Sequence, residues 1–329
     1  MSGVSPLSNR KMFLSYHQPS FLYGTETMCL NLGDTERLEV KYRKTLKCML
    51  SLPDCSVSAS VYLCIGVLPA EAQRDIEIMG LLGQLAMCDQ EAQNIRAVIE
   101  NSLTFYGVNF QGWSGLARRT CLFYGLPDPL LYLQNPWRAD RWRNHCKKVV
   151  TSYWENKLIR IVEETPSLEY IDTHTASLSI PMRGWQLAGL SSVTVREATI
   201  VNWMLMGTYF TRELLFKMKK TDSPNCLGCG NKTKENLSHF LIYCPYYNQI
   251  REEYLPKMIL LNSQICEIIS NEFYLILSIL DPLSSKLPEQ FVKNWSSAKH
   301  AYELLRKFCS NMHVKREKLA EEYENQKGR

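Results

Sequence analysis

The stretch CLGCGNKTKENLSHFLIYCP, residues 226–245, carries four side chains of the types that bind transition metals. Two residues separate Cys226 from Cys229. His239 follows after nine more residues, and Cys244 lies five positions beyond the histidine. Three thiolates and one imidazole complete a tetrahedral shell and leave no position for a substrate water. The spacing therefore predicts one zinc ion with a structural role.

The alternative is that these four residues are unrelated, which a chain with twelve cysteines permits. The polar insert 231–236 favours the metal, because it has little apolar content with which to fold itself. Gly228 and Gly230 free the backbone for a tight turn, in which both thiolates of the first pair face one cation. Zinc bound in this way supplies much of the folding free energy of such a small element.

Outside this stretch, apolar residues recur with the helical period and few segments alternate with period two. The apolar positions of residues 36–52, for example, include Leu38, Tyr42, Leu46 and Leu50. These patterns predict a mainly α fold. The predicted helices cover residues 36–52, 70–89, 94–106, 136–164 and 193–220.

The composition is that of a folded globular chain. Of the 329 residues, 45% are hydrophobic and 22% are charged, which excludes a disordered protein. The net charge of +5 is a weak bias that permits nucleic-acid binding without requiring it. The chain begins without a secretory signal and contains no apolar run of membrane-spanning length. We therefore expect an intracellular protein of the nucleus or cytoplasm, with no membrane partner and no small-molecule substrate.

Three clusters of basic residues are candidates for contacts with the phosphates of a nucleic acid. One lies on helix 36–52, one interleaves with Trp137 and Trp142, and one surrounds the predicted metal site. The alternative is an ordinary solvated helix face for the cations and a place in the hydrophobic core for the tryptophans. We favour the third cluster, because it is close in sequence to the metal. The candidate contacts are Lys41, Lys44, Lys47, Arg141, Lys217, Lys219, Lys220, Lys232 and Lys234.

The metal motif has a characteristic sequence context. It continues as HFL at residues 239–241 and as CP at 244–245, with Tyr247 and Arg251 beyond, and Glu235 precedes the histidine by four positions. This arrangement resembles the cysteine/histidine element near the C-terminus of non-LTR retrotransposon reverse transcriptases.

A second similarity to that family lies near the other end of the chain. The segment FLYGTET, residues 21–27, is similar to the stretch that follows the polymerase palm. Helix 36–52, which stops at Leu52-Pro53, resembles the thumb helix after it. The resemblance implies four regions: 1–60, the end of the palm and a thumb-like region; 61–192, a helical connector; 193–260, a helix with the zinc knuckle; and 261–329, a helical, partly charged tail.

The catalytic part of such a polymerase is missing. Polymerase chemistry needs paired carboxylates that hold two divalent ions. The nine aspartates of this chain are scattered, and no two are adjacent. The resemblance thus implies a thumb, a connector and a zinc knuckle without polymerase activity of their own.

Three functional hypotheses follow. The first is a C-terminal portion of a non-LTR retrotransposon reverse transcriptase that binds RNA or DNA, with the remainder of a retroelement polymerase as a further partner. The second is a helical scaffold for protein–protein interaction, in which zinc only fixes a subdomain. The third is an inert remnant of a retroelement.

Overall fold

The computed structural model describes residues 4–87, 93–106, 111–189, 191–230 and 233–327. Across these ranges the chain is built from helices and contains no β-strand, so the predicted mainly α class is confirmed. Within the same ranges, one isolated β-bridge joins Asn225 to Lys234. None of the helices in this part of the chain combines the length and the hydropathy that a bilayer crossing requires.

Seventeen α-helices lie within the described ranges, joined by short π-helical and 3₁₀ segments. They are α1 (Pro6–Met12), α2 (Gln18–Leu22), α3 (Leu32–Met49), α4 (Ser58–Ile65), α5 (Ala70–Ala86), α6 (Gln93–Tyr106), α7 (Trp113–Phe123), α8 (Pro129–Gln134), α9 (Ala139–Glu163), α10 (Arg183–Gln186), α11 (Ser192–Leu205), α12 (Arg212–Lys217), α13 (Asn248–Leu261), α14 (Ile265–Ile268), α15 (Glu272–Leu280), α16 (Glu289–Lys293) and α17 (Ala298–Lys327).

The helix predicted at residues 36–52 is α3, which begins four residues earlier. Asn31 explains the early start, because its Oδ1 accepts a hydrogen bond from the backbone N–H of Asp34 at 2.9 Å and caps the first turn. The helix ends at Met49. Ser51 then adopts a positive φ of 55°, and the N–H of Leu52 returns to the carbonyl of Lys47 at 2.8 Å.

The chain forms two compact units. The first unit comprises Met1–Asn9, Lys47–Ile65 and Ile161–Arg329, and the second comprises Arg10–Leu46 and Gly66–Arg160. These units do not coincide with the four regions that the resemblance implies, because each unit joins segments that are far apart in the sequence.

The second unit has a core centred on Trp142, which is fully buried. Its indole N–H donates to the carbonyl of Met79 at 2.8 Å, and its ring stacks on Tyr132 with 4.0 Å between centroids. Helix α5 approaches the ring at Gly83, where a Cβ would lie 2.5 Å from the indole Cδ1. Trp142 is therefore a core residue, which agrees with the alternative interpretation that the tryptophans belong to the hydrophobic core. Trp137 remains 37% exposed.

In the first unit, α11 and α13 pack against the long helix α17, and α15 packs against α11 and α17. Residues 261–329 are expected to form a tail, yet α17 contributes Leu305, Phe308 and Met312 to the buried core. Cys226 and Cys244 belong to the same hydrophobic core. The segment that carries the predicted metal ligands thus packs into the core of this helical unit.

The single helix predicted for residues 193–220 is wrong, because the structure has two helices there. Helix α11 ends at Leu205 and α12 starts at Arg212. Gly207 lies between them with a φ of +61°, and a Cβ on it would lie 2.3 Å from the carbonyl oxygen of Ser167. The close approach and the left-handed backbone both require glycine and end the helix.

Candidate metal centre and basic surface

Cys226, Cys229, His239 and Cys244 lie together in the first unit. Their ligand atoms are all within 4.8 Å of one another. The Sγ atoms of Cys226 and Cys244 are 3.6 Å apart, and Cys229 Sγ lies 3.6 Å from His239 Nε2. Around a tetrahedral zinc ion, neighbouring sulfur and nitrogen ligands lie about 3.5 to 3.8 Å apart, given Zn–S of about 2.3 Å and Zn–N of about 2.0 to 2.1 Å. The cluster could therefore hold one metal ion.

A short hairpin carries the first two ligands. The N–H of Cys226 donates to the carbonyl of Thr233 at 3.0 Å, and the N–H of Glu235 donates to Pro224 at 2.9 Å. At the turn, Gly230 has a φ of +59°. Gly228 lies against Tyr246, so that a Cβ on this glycine would be 2.8 Å from the ring. The two glycines thus allow the tight turn at the first ligand pair that the sequence predicts.

Backbone N–H groups point at the sulfur atoms. Cys226 Sγ accepts hydrogen bonds from the N–H groups of Gly228 and Cys229, and Cys244 Sγ accepts one from Tyr246. The hydrogen bond shared by the two thiols is the first cause of both shifts: it lowers the pKa of Cys226 and raises the pKa of Cys244. Such donors stabilise thiolates and orient them toward a cation.

The second pair of ligands flanks a single π-helical turn, His239–Tyr243: His239 is its first residue and Cys244 follows its last. Asn236 caps this turn, since its Oδ1 accepts from the N–H of His239 at 2.8 Å. The N–H of Cys244 donates to the carbonyl of His239 at 2.7 Å. The wide turn brings His239 and Cys244, which are five positions apart, to the same side. Phe240 and Leu241, which lie between them in the sequence, are fully buried.

Arg251 stabilises the end of this turn by hydrogen bonds. Its guanidinium donates to the carbonyl oxygens of Leu241 and Cys244 and to Asn248 Oδ1. These are the carbonyls that a helix end leaves without intrahelical partners. Arg251 thus supports the second ligand pair through hydrogen bonds, and Tyr247 supports it by packing its ring on Phe240. Both residues belong to the sequence context of the metal motif.

A buried ion pair fixes the insert between the two ligand pairs. Glu235 contacts Arg316 of α17, and their side chains are 4% and 11% exposed. Arg316 also donates to the carbonyl of Phe210 at 2.6 Å and covers the ring of Tyr209. Burial raises the pKa of Glu235, and the charge of Arg316 opposes this rise. Arg316 lies 81 positions from its partner, so no local pattern in the sequence identifies it as part of the site.

The basic residues near the metal centre lie on the surface. Lys217, Lys219, Lys220 and Lys234 are exposed. Lys217 pairs with Glu213 at 3.0 Å on the same helix, and the N–H of Glu213 donates to the carbonyl of Glu235. This bond places α12 beside the insert of the metal site. Lys232 lies outside the described residues.

One further lysine joins this group. Lys315 of α17 holds its Nζ 4.7 Å from the ring centre of Tyr246, the residue that touches the Gly228 turn. Lys315 lies far from the metal motif in the sequence, so the sequence does not show that the two are close in space. We call Lys217, Lys219, Lys220, Lys234 and Lys315 the basic surface.

The structure does not place Lys47, a predicted nucleic-acid contact, on the surface. Its side chain is buried, and its Nζ donates to the carbonyl of Asp54 at 2.7 Å, where the chain folds back after α3. Lys41 and Lys44 are exposed on α3. Arg141 is exposed and lies over the ring of Trp137 at 5.2 Å. These three residues belong to the second unit and stay predictions.

No family model, curated protein or solved structure matches this chain. The resemblance to non-LTR retrotransposon reverse transcriptases stays a prediction, as do the absence of enzymatic activity and the compartment.

Proposed function

We propose that the first unit binds single-stranded RNA or DNA through the basic surface and that one structural Zn²⁺ fixes this surface. The observation that carries the proposal is the position of the lysines, on and beside an element whose four ligand atoms are spaced for a tetrahedral ion. The family resemblance supports the same function and adds the remainder of a retroelement polymerase as a partner.

The chemistry of the donor set favours zinc. Three sulfurs and one imidazole match the preference of Zn²⁺ for soft and borderline ligands, whereas Mg²⁺ and Ca²⁺ require oxygen. Cys226, His239 and Cys244 are buried, and four protein ligands fill a tetrahedron. A closed shell of this kind holds the hairpin and the π-helical turn together and does not activate water.

Two carboxylates near the basic surface, Glu213 and Glu235, offset its charge only weakly. Glu235 lies inside the unit and is neutralised by Arg316, so it does not offset the lysines outside. The pair of Lys217 with Glu213 is solvated, with the lysine 68% exposed, and such pairs are weak. Phosphates of a flexible strand could therefore displace this pair, with an affinity that falls as salt rises.

The experiment has two parts. Metal analysis and Co²⁺ substitution of the purified chain should give one ion with tetrahedral thiolate absorption, which Cys229→Ser abolishes and Cys266→Ser, an exposed cysteine outside the cluster, preserves. Fluorescence anisotropy with single-stranded oligonucleotides should then give binding that weakens with salt. Undetectable binding at low salt would remove the proposal.

A charge-matched control distinguishes the effect of the basic surface on binding from the effect of net charge. We expect K217A/K219A/K220A to weaken binding and to lower the salt slope by about 2, at about 0.7 per phosphate contact. The control is K257A/K293A/K299A, in which each lysine pairs with a glutamate four positions away on its own helix. Equal effects of the two triple variants would contradict a specific surface.

The protein-interaction scaffold remains the second candidate because of helix α6. Ile95, Val98 and Phe105 lie on one side of this helix and are 53%, 67% and 79% exposed. Exposed apolar stripes of this kind mark interaction sites. If no oligonucleotide binds while the zinc site is loaded, this candidate replaces the first.

A further inference from the structure

A pocket of about 240 Å³ opens beside the metal site in the first unit. Its walls come from the loop before Tyr170, from the turn at Gly207, from α12 and from the capping residue Asn236. Cavities for drug-sized ligands are about 300 to 1,000 Å³. The pocket therefore has room for one small ring system and not for a larger molecule.

Two aromatic side chains give the pocket rigid apolar walls. Tyr170 stacks on Phe273, with 5.5 Å between the ring centroids and 20° between the planes. Tyr209 is buried and stacks on Phe240 at 5.3 Å and 25°. Tyr209 is 4% exposed and covered by Phe240 and Arg316, so it only closes the pocket. Tyr170 is half-buried and held by a second ring, so it presents a fixed surface on which a planar group can stack.

Polar groups lie at the edge of the pocket. Asn236 uses its Oδ1 to cap the π-helical turn, and its amide nitrogen carries two hydrogen-bond donors. Lys217 lines the pocket with its charge largely in solvent, and Lys219 follows it along the chain. Glu213, which pairs with Lys217, also lines the pocket and adds an acceptor. A slot with donors, an acceptor and a cation at its edge matches the polar edge of a nucleobase joined to a phosphate.

We propose that this pocket holds one unstacked base of the single strand whose phosphates contact the basic surface. The inference rests on the proposed function, since the same lysines bind the backbone on either side. It adds a base-dependent contact to an otherwise electrostatic interaction. Base stacking on an aromatic side chain is sequence-tolerant, so the strand need not have a fixed sequence.

The test compares a single-stranded oligonucleotide with an abasic strand of the same length and charge, each with ribose and with deoxyribose. We expect the base-containing strand to bind about tenfold more tightly at the same salt concentration. The variant Tyr170→Ala should remove this preference and leave the abasic strand unaffected. The control Tyr23→Ala removes an 89% exposed tyrosine of the second unit and should preserve the preference.

A second variant tests the pocket independently in case Tyr170→Ala does not fold. Ser167→Leu places a larger, non-aromatic side chain at an exposed position of the pocket wall and should reduce the preference in the same way, with an unchanged melting curve. Equal affinity for both strands overturns the base pocket and leaves the phosphate-binding function in place. Undetectable binding of either strand at low salt overturns both.

Discussion

Glu235 and Arg316 form a buried ion pair between the insert of the metal site and the last helix of the chain. The pair explains why α17 belongs to the same unit as the cysteines and the histidine. It also keeps the one carboxylate of the insert away from the surface that carries the lysines.

Breaking this pair should destabilise the first unit strongly. Arg316→Met leaves a buried carboxylate without a partner, and we expect a loss of about 3 to 5 kcal/mol in the free energy of unfolding. Chemical denaturation of the zinc-loaded protein measures it. In the double variant with Glu235→Gln the loss should be smaller, because neither charge is then left alone.

The solvated pair of Lys293 and Glu289 is the matched control for this experiment. Both side chains are more than 70% exposed, and Lys293→Met should cost less than about 1 kcal/mol. A cost for Arg316→Met as small as this would show that the pair does not hold the insert.

Removal of the metal should also destabilise the first unit. Free zinc at a thousand times its dissociation constant contributes about 4 kcal/mol to the stability of a protein that binds it only when folded. A chelator should therefore lower the denaturation midpoint, and added zinc should restore it. In Cys244→Ser the midpoint should no longer respond to the chelator.

Cys309→Ser is the control for the chelator experiment. Cys309 is a fully buried cysteine of the same unit that takes no part in the cluster. The variant loses packing at a buried thiol but should keep the full response to the chelator. A response of Cys244→Ser equal to that of the unmodified chain would mean that the metal is bound elsewhere.

The sequence predicts the metal cluster well because its geometry is local. A two-residue spacing between cysteines and a five-position step from His239 to Cys244 limit how these side chains can be arranged. The mainly α class follows equally from the period of apolar residues. Neither prediction needs knowledge of contacts between distant segments.

What the sequence could not predict depends on such distant contacts. Lys47 fits the basic face of its helix by periodicity, but the chain folds back and the carbonyl of Asp54 covers its ammonium group. The pocket at Tyr170 requires the loop before it to meet the turn at Gly207, which is a tertiary contact. The role of α17 in the core likewise follows from packing and not from its charged composition.

Gly207 should tolerate no side chain. Its φ of +61° disfavours a residue with a Cβ, and that atom would lie 2.3 Å from the carbonyl oxygen of Ser167. We expect Gly207→Ala to lower the free energy of unfolding by about 1 to 3 kcal/mol, as measured by chemical denaturation. Gly184→Ala is the control, because no atom lies within 4 Å of its added Cβ and alanine favours helix α10. A neutral Gly207→Ala would show that this turn does not require glycine.

The second unit should become less stable as the pH rises from about 4 to about 7. Burial raises the pKa of Asp75 to about 7, although the hydroxyl of Tyr124 donates to its Oδ2 at 2.8 Å. In this interval the folded chain holds a proton that the unfolded chain has released, so stability falls with rising pH and the effect of this group levels off above pH 7.

The expected loss from Asp75 is on the order of 2 kcal/mol, less than for a fully buried group, because the side chain is partly exposed. Denaturation curves recorded at several pH values measure it. Asp75→Asn keeps an acceptor for Tyr124 without a titrating proton, so the variant should lose this part of the pH dependence. A pH dependence identical in the variant and the unmodified chain would assign the titration to another group.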